Sequence, residues 1–118
     1  MEKITVKTYI DYVGEIADRD VKTLIRKDAE YGGSWLKRGG VGAAMMAARK
    51  WDRLEEQLKK HHWDIIAAAV EDRRPEGILD DLRDLRCYLF LIEGEVLRQI
   101  DNAEYAQAKI ETSGGDHA

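Results

Sequence analysis

The segment from Val41 to His62, VGAAMMAARKWDRLEEQLKKHH, decides the architecture of this chain. Its apolar residues Val41, Ala44, Met45, Ala48, Trp51 and Leu58 recur at three- and four-residue spacing, which lays a stripe along an α-helix and does not alternate as a strand would. The expectation is a helix over this whole segment that buries the stripe, with Met45 and Met46 as packing residues. On a wheel of about 100° per residue, Asp52 falls between Val41 and Met45, and Glu55 between Ala44 and Ala48. Two acids therefore interrupt an apolar face. An isolated buried carboxylate would neutralise, so these two call for a cationic side chain, a metal ion or a water-filled cleft.

On the N-terminal side, YGGSWLKRGGVG at residues 31–42 places five glycines and a serine within a dozen positions, enough backbone freedom to stop any helix. Before it, Tyr9, Val13, Ile16, Val21, Leu24 and Ile25 suit one long helix, or two broken near ADRD at 17–20. On the C-terminal side, WDIIAAAV at 63–70 reads as a short helix ending before Pro75, the lone proline, with RRPEG as a turn. Ile78, Leu82, Leu85, Leu89, Ile92, Val96 and Ile100 then form a near-heptad series, a last long helix reaching about Ala108. The fold class expected is all-α, a bundle of four to five helices in one domain over residues 1–110, with 111–118 as a flexible tail.

Composition agrees. The 118 residues are 44% apolar and 36% charged, and a compact chain of this size buries roughly two-thirds of its unfolded surface. The net charge of -4 excludes the broad positive field that a nucleic-acid polymer attracts. Cys87 stands alone in a helical pattern, as a reduced core thiol would. The apolar run CYLFLI at 87–92 is far short of a membrane span, and no signal-peptide pattern opens the chain. The expectation is a soluble cytoplasmic protein with no membrane partner.

The last helix repeats the acidic arrangement: Asp81, Asp84, Tyr88 and Glu95 run along one flank of its apolar seam, with Asp80 one turn before Asp84. If the two long helices face each other, Asp52 and Glu55 meet Asp81 and Asp84. Four hard oxygen donors without matching histidine or thiolate favour magnesium, with manganese as a substitute, over zinc or copper. The same acids are equally served by rim salt bridges to Arg49, Lys50, Arg53, Lys59 and Lys60 on one side and Arg83 and Arg86 on the other. A di-iron site is disfavoured, because none of His61, His62 and His117 lies three residues after a glutamate. In the loop, Lys37 and Arg38 beside the amides of a helix start are suited to phosphate, and Tyr31 or Trp35 to stacking on a base. A plain connection in which Trp35 covers the bundle end is the structural counterpart of that reading. Walker A and Rossmann fingerprints do not fit: no Gly-Lys-Ser/Thr ends the run and no strand precedes it.

Three segments in this order, Tyr-Gly-x-Ser-Trp from Tyr31, Lys-Trp-Asp-Arg-Leu-Glu from Lys50 and Asp-Leu-Arg-Asp-Leu-x-x-Tyr from Asp81, resemble the MazG-like branch of the all-α nucleoside triphosphate pyrophosphatases, a phage-type, nucleotide-modification-associated group. The resemblance covers about residues 29–95. It implies a hydrolase that cuts a (d)NTP between the α- and β-phosphates, giving (d)NMP and pyrophosphate, with a purine deoxynucleotide such as dGTP among the substrates. It also implies Mg2+ at Asp52, Glu55, Asp81 and Asp84, which match positions of the family's Glu-Glu-x-x-Glu and Glu-x-x-Asp motifs. Trp51 stands where the first of those acids would be, and Asp replaces Glu at Asp52 and Asp81. Glu55 would be the proton acceptor, with Glu56 as a compensating acid. Lys27, Lys37, Arg38 and Lys50 would hold phosphates, and Tyr88 the sugar or a phosphate. A homodimer or homotetramer sharing bundle helices is implied, in a host cytoplasm for a phage protein. The degraded first motif also suits a non-catalytic helical module that binds a nucleotide or a protein.

Overall fold

A computed structural model describes residues 5–115. Among them are four α-helices and no strand: α1 (Tyr9–Tyr31), α2 (Gly39–Lys60), α3 (Ile65–Glu71) and α4 (Ile78–Gly115), with a single 3-10 turn at Ser34–Leu36. The all-α expectation holds, and α1 is one helix rather than two.

Both ends of α1 and the starts of α3 and α4 have a local chemical cause. Thr8 and Asp11 form a capping box: the Thr8 hydroxyl accepts from the Asp11 amide at 3.3 Å, and the Asp11 carboxylate accepts from the Thr8 amide at 2.9 Å. Gly32 ends α1 at φ +57, where its N–H donates to the Asp28 carbonyl at 2.8 Å. Asp64 caps α3 by accepting from the Ala67 amide at 3.0 Å.

The start of α4 is tied down by Asp72. Its carboxylate accepts from the Ile78 amide at 2.7 Å, from the Arg74 amide at 3.1 Å and from the Arg74 guanidinium at 3.0 and 2.9 Å. A β-carbon at Gly77 would lie 2.5 Å from that carboxylate, so the close approach requires glycine. The Arg74 side chain, then the Ile78 and Arg74 amides, hold the Asp72 carboxyl well below the usual carboxylate range.

The core is small. Leu54 of α2, Ala68 of α3 and Ile78 of α4 are buried together, and Ala69, Leu82 and Leu85 pack against them. α1 joins through an ion pair: buried Asp20 receives two bonds from Arg86, at 2.7 and 3.2 Å. Beside it lies Cys87, a buried free thiol whose pKa is raised by burial and by the charge of Asp20, which disfavours the thiolate.

Two sequence expectations are corrected. Of the expected stripe, Leu58 is buried, but Val41, Ala44, Met45, Ala48 and Trp51 are exposed, with Val41 80% and Met45 60% accessible, and Met46 is exposed too. The inward face of α2 is instead Ala43, Ala47, Lys50, Leu54 and Leu58, a second series at the same spacing. Apolar residues surround the first half of α2, so periodicity alone offered two solutions and contact with α4 selected one. The helix expected to end near Ala108 continues to Gly115, so residues 111–115, expected within the tail, are helical; 116–118 lie outside the described residues.

Candidate functional site

A cavity of about 370 Å³ opens where α1, the Ser34–Leu36 turn, α2 and α4 meet. Lys27 and Tyr31 reach it from the last turns of α1, Trp35 from the 3-10 turn, Lys50 from α2, and Asp84 and Tyr88 from α4. Leu24, Met46, Cys87 and Leu91 supply apolar wall. Five residues singled out for substrate binding, Lys27, Tyr31, Trp35, Lys50 and Tyr88, are thus brought to one place from four elements. Lys37 and Arg38 are exposed at the start of α2 and are not among its lining residues.

Lys50 and Asp84 also line a second, strongly polar cleft of about 280 Å³, together with Arg53, Glu76, Asp80, Asp81 and Arg83. The two hollows share the Lys50–Asp84 pair, whose charged atoms are 3.1 Å apart. Next to it, Arg53 Nε lies 2.9 Å from buried Asp81, and Arg83 reaches Asp80 at 3.2 Å and Asp84 at 3.7 Å. Asp80 and Asp81 occupy the first turn of α4, where the helix dipole favours negative charge.

The acids of α2 lie elsewhere. Asp52 is exposed, nearly opposite Lys50 at about 100° per residue. Glu55 accepts from the Trp51 indole at 2.9 Å and pairs with Lys59 at 3.3 Å, and Glu56 is exposed. The expected meeting of Asp52 and Glu55 with Asp81 and Asp84 therefore does not occur within one chain. The reason is rotational: burying Leu54 and Leu58 turns Lys50 and Arg53 toward α4, and two cations face the α4 acids.

Among the described residues no group of three or more His, Cys, Asp or Glu side chains is placed to hold a metal ion. Magnesium demands a near-octahedral oxygen shell, and here the two best-placed carboxylates already neutralise an ammonium and a guanidinium. As folded in one chain, the donor set does not fit a resident dication.

In the sequence Arg53 and Arg83 are distinguished only as general salt-bridge partners, and their convergence with Lys50 at the polar cleft emerges from the fold. Nor was the burial of Asp20, which in sequence is indistinguishable from its exposed neighbour Asp18. Compared with protein-family models, with curated proteins and with solved structures, the chain matches none.

Proposed function

We propose that this chain is a nucleoside triphosphate pyrophosphohydrolase of the MazG-like type, taking a (d)NTP as its magnesium complex and releasing (d)NMP and pyrophosphate. The observation that carries the reading is the cavity, in which aromatic side chains, two lysines and two carboxylates, Asp28 and Asp84, converge beside a cleft whose walls add Arg53, Arg83, Glu76, Asp80 and Asp81. Trp35 and Tyr31 offer faces to a base. Lys27 and Lys50 offer charge to phosphates, and Arg53 and Arg83 continue that charge into the cleft. The metal in this reading belongs to the substrate, and Mn2+ serves in its place.

The chain's own part in hydrolysis follows from the Lys50–Asp84 pair. A phosphate that engages the Lys50 ammonium competes with Asp84 for it, leaving that carboxylate free to accept a proton from water. The water oxygen bonds to the α-phosphorus, the bond to the bridging oxygen breaks, and pyrophosphate leaves against the cations. This assigns the base to Asp84, the cavity carboxylate that pairs with Lys50, in place of Glu55 and Glu56, which do not line the cavity. The assembly that accompanies this reading is a homodimer or homotetramer, in the cytoplasm.

A second reading is favoured by the pairing of both α4 acids with α2 cations: a non-catalytic module that binds a nucleotide without cleaving it. Incubation with the eight common nucleotides and either Mg2+ or Mn2+, followed by pyrophosphate release and melting temperature, separates the two. Product from at least one nucleotide, lost in Asp84→Asn, is expected. A melting shift without product selects the second reading, and neither signal refutes both.

A further inference from the structure

We infer that the hollow between the first half of α1 and the start of α4 is a separate anion site, which takes a phosphate group of a small molecule and, when filled, clamps α1 onto α4. The geometry of that hollow carries this independently of the enzymatic reading.

The hollow has a volume of about 570 Å³, larger than the aromatic-walled cavity and of the size that small molecules occupy. Each wall is one face of one helix. Tyr12, Ile16 and Arg19 line it from α1 at steps of four and three, and Leu79, Arg83 and Arg86 line it from α4 at the same steps. Three guanidiniums therefore share one hollow in a chain whose net charge is -4. A further cation stands beside them, because Lys7 Nζ lies 5.2 Å from the centroid of the Tyr12 ring.

The acids of the hollow are Glu15 and Asp80, and both are engaged. Glu15, one turn before Arg19, pairs with Lys7 at 2.6 Å, and Asp80 accepts from the Gly77 amide at 3.0 Å and from Arg83 at 3.2 Å. Arg19 has no carboxylate within salt-bridge distance among the described residues. Arg86 turns Nε and Nη2 to buried Asp20, and its Nη1 takes no part in that pair. Donors thus remain on both helices. A tetrahedral phosphate turns oxygens in several directions and can reach guanidiniums on two walls, whereas a carboxylate presents two oxygens in one plane. Tyr12, Ile16 and Leu79 offer apolar surface to the remainder of the molecule.

Occupancy has a structural consequence. The Asp20–Arg86 pair ties α1 to α4, and a phosphate bonded to Arg19 on one helix and to Arg83 and Arg86 on the other adds a second tie nearer the start of α1. The same helix carries Lys27 and Tyr31 to the aromatic-walled cavity, so fixing α1 also fixes one wall of that cavity. Arg83 lines the charged cleft as well and lies 3.7 Å from Asp84, which places the occupant one side chain away from the Lys50–Asp84 pair.

The test is calorimetric titration of the full chain with inorganic pyrophosphate, without divalent metal and at constant ionic strength, with amide hydrogen exchange of α1 followed in parallel. Pyrophosphate should bind saturably to wild type, and still bind when Lys27→Ala and Lys50→Ala together remove the lysines of the aromatic-walled cavity. Arg19→Gln should weaken that remaining binding by at least about tenfold, the loss of a charge-assisted hydrogen bond, and Arg19→Glu should abolish it. Arg19 is exposed, so circular dichroism of both variants should match wild type. Citrate should bind at least about tenfold more weakly than pyrophosphate, as a planar acceptor reaches fewer of the donors. Exchange across residues 9–20 should slow with pyrophosphate in wild type and not in Arg19→Glu, a readout of the hollow whatever the cavity binds. Binding that vanishes with the two lysines, persists in Arg19→Glu, is matched by citrate, or leaves α1 exchange unmoved would in each case overturn the proposal. None of these readouts uses nucleotide turnover, so a chain that cleaves no nucleotide leaves them intact.

Discussion

Lys50 and Asp84 meet at 3.1 Å across α2 and α4, at the point where the aromatic-walled cavity and the charged cleft join. Both side chains are about one-quarter exposed, so the pair is reachable by a ligand yet screened less than a surface pair. An anion entering from either hollow meets the same ammonium.

Asp84→Asn should therefore lower pyrophosphate release by about 10²–10⁴-fold, the usual contribution of a positioned proton acceptor. The helical circular-dichroism spectrum should not change. Lys50→Ala should reduce the nucleotide-dependent melting shift. Unaltered turnover in Asp84→Asn would remove this residue from the mechanism.

Removal of Arg86 isolates a buried charge. Asp20 is fully buried and Arg86 is its ion-pair partner, so Arg86→Met should destabilise the fold by about 3–5 kcal/mol in urea titration. Asp20→Leu combined with Arg86→Met should be markedly more stable than Arg86→Met alone. Protein concentration must be held constant across the series.

Leu54→Ala opens the centre of a core built from few side chains. With Leu54 1% exposed among Ala68, Ile78, Leu82 and Leu85, a loss of about 2–5 kcal/mol is expected in the same titration. Val41→Ala, on the exposed face of α2, should change stability far less at concentrations where the chain is monomeric.

The Asp72 clamp predicts an acid sensitivity with a definite sign. Its carboxyl is held below the usual range in the folded chain, while in the unfolded chain it titrates near 4, about the ordinary value for an aspartate. Between those values the unfolded state binds more protons, so the stabilisation is present above about pH 4 and is lost as pH falls through the folded value. Melting temperature should drop on acidification below about pH 4, and Asp72→Asn should flatten that dependence. Gly77→Ala should weaken the clamp at every pH, because its β-carbon meets the carboxylate.

The sequence by itself determined the helices. Spacing in α2 and α4, the glycine-rich break between α1 and α2, and the single proline ahead of α4 placed each element to within a few residues apart from the C-terminal end of α4, since caps and backbone freedom act locally. It also marked Lys27, Tyr31, Trp35, Lys50 and Tyr88, whose residue types suit a phosphate-bearing ring compound wherever they meet. Which face of α2 turns inward was decided only in three dimensions. Both series satisfied the helical period, but Leu54 packs on Ala68 of α3 and Ile78 of α4 together, and burying it carried Lys50 and Arg53 to the α4 acids and left Asp52 outside. A helical wheel fixes angles within one helix; the rotation of one helix against another is set by packing, and that rotation chose the partners of every charge at the site.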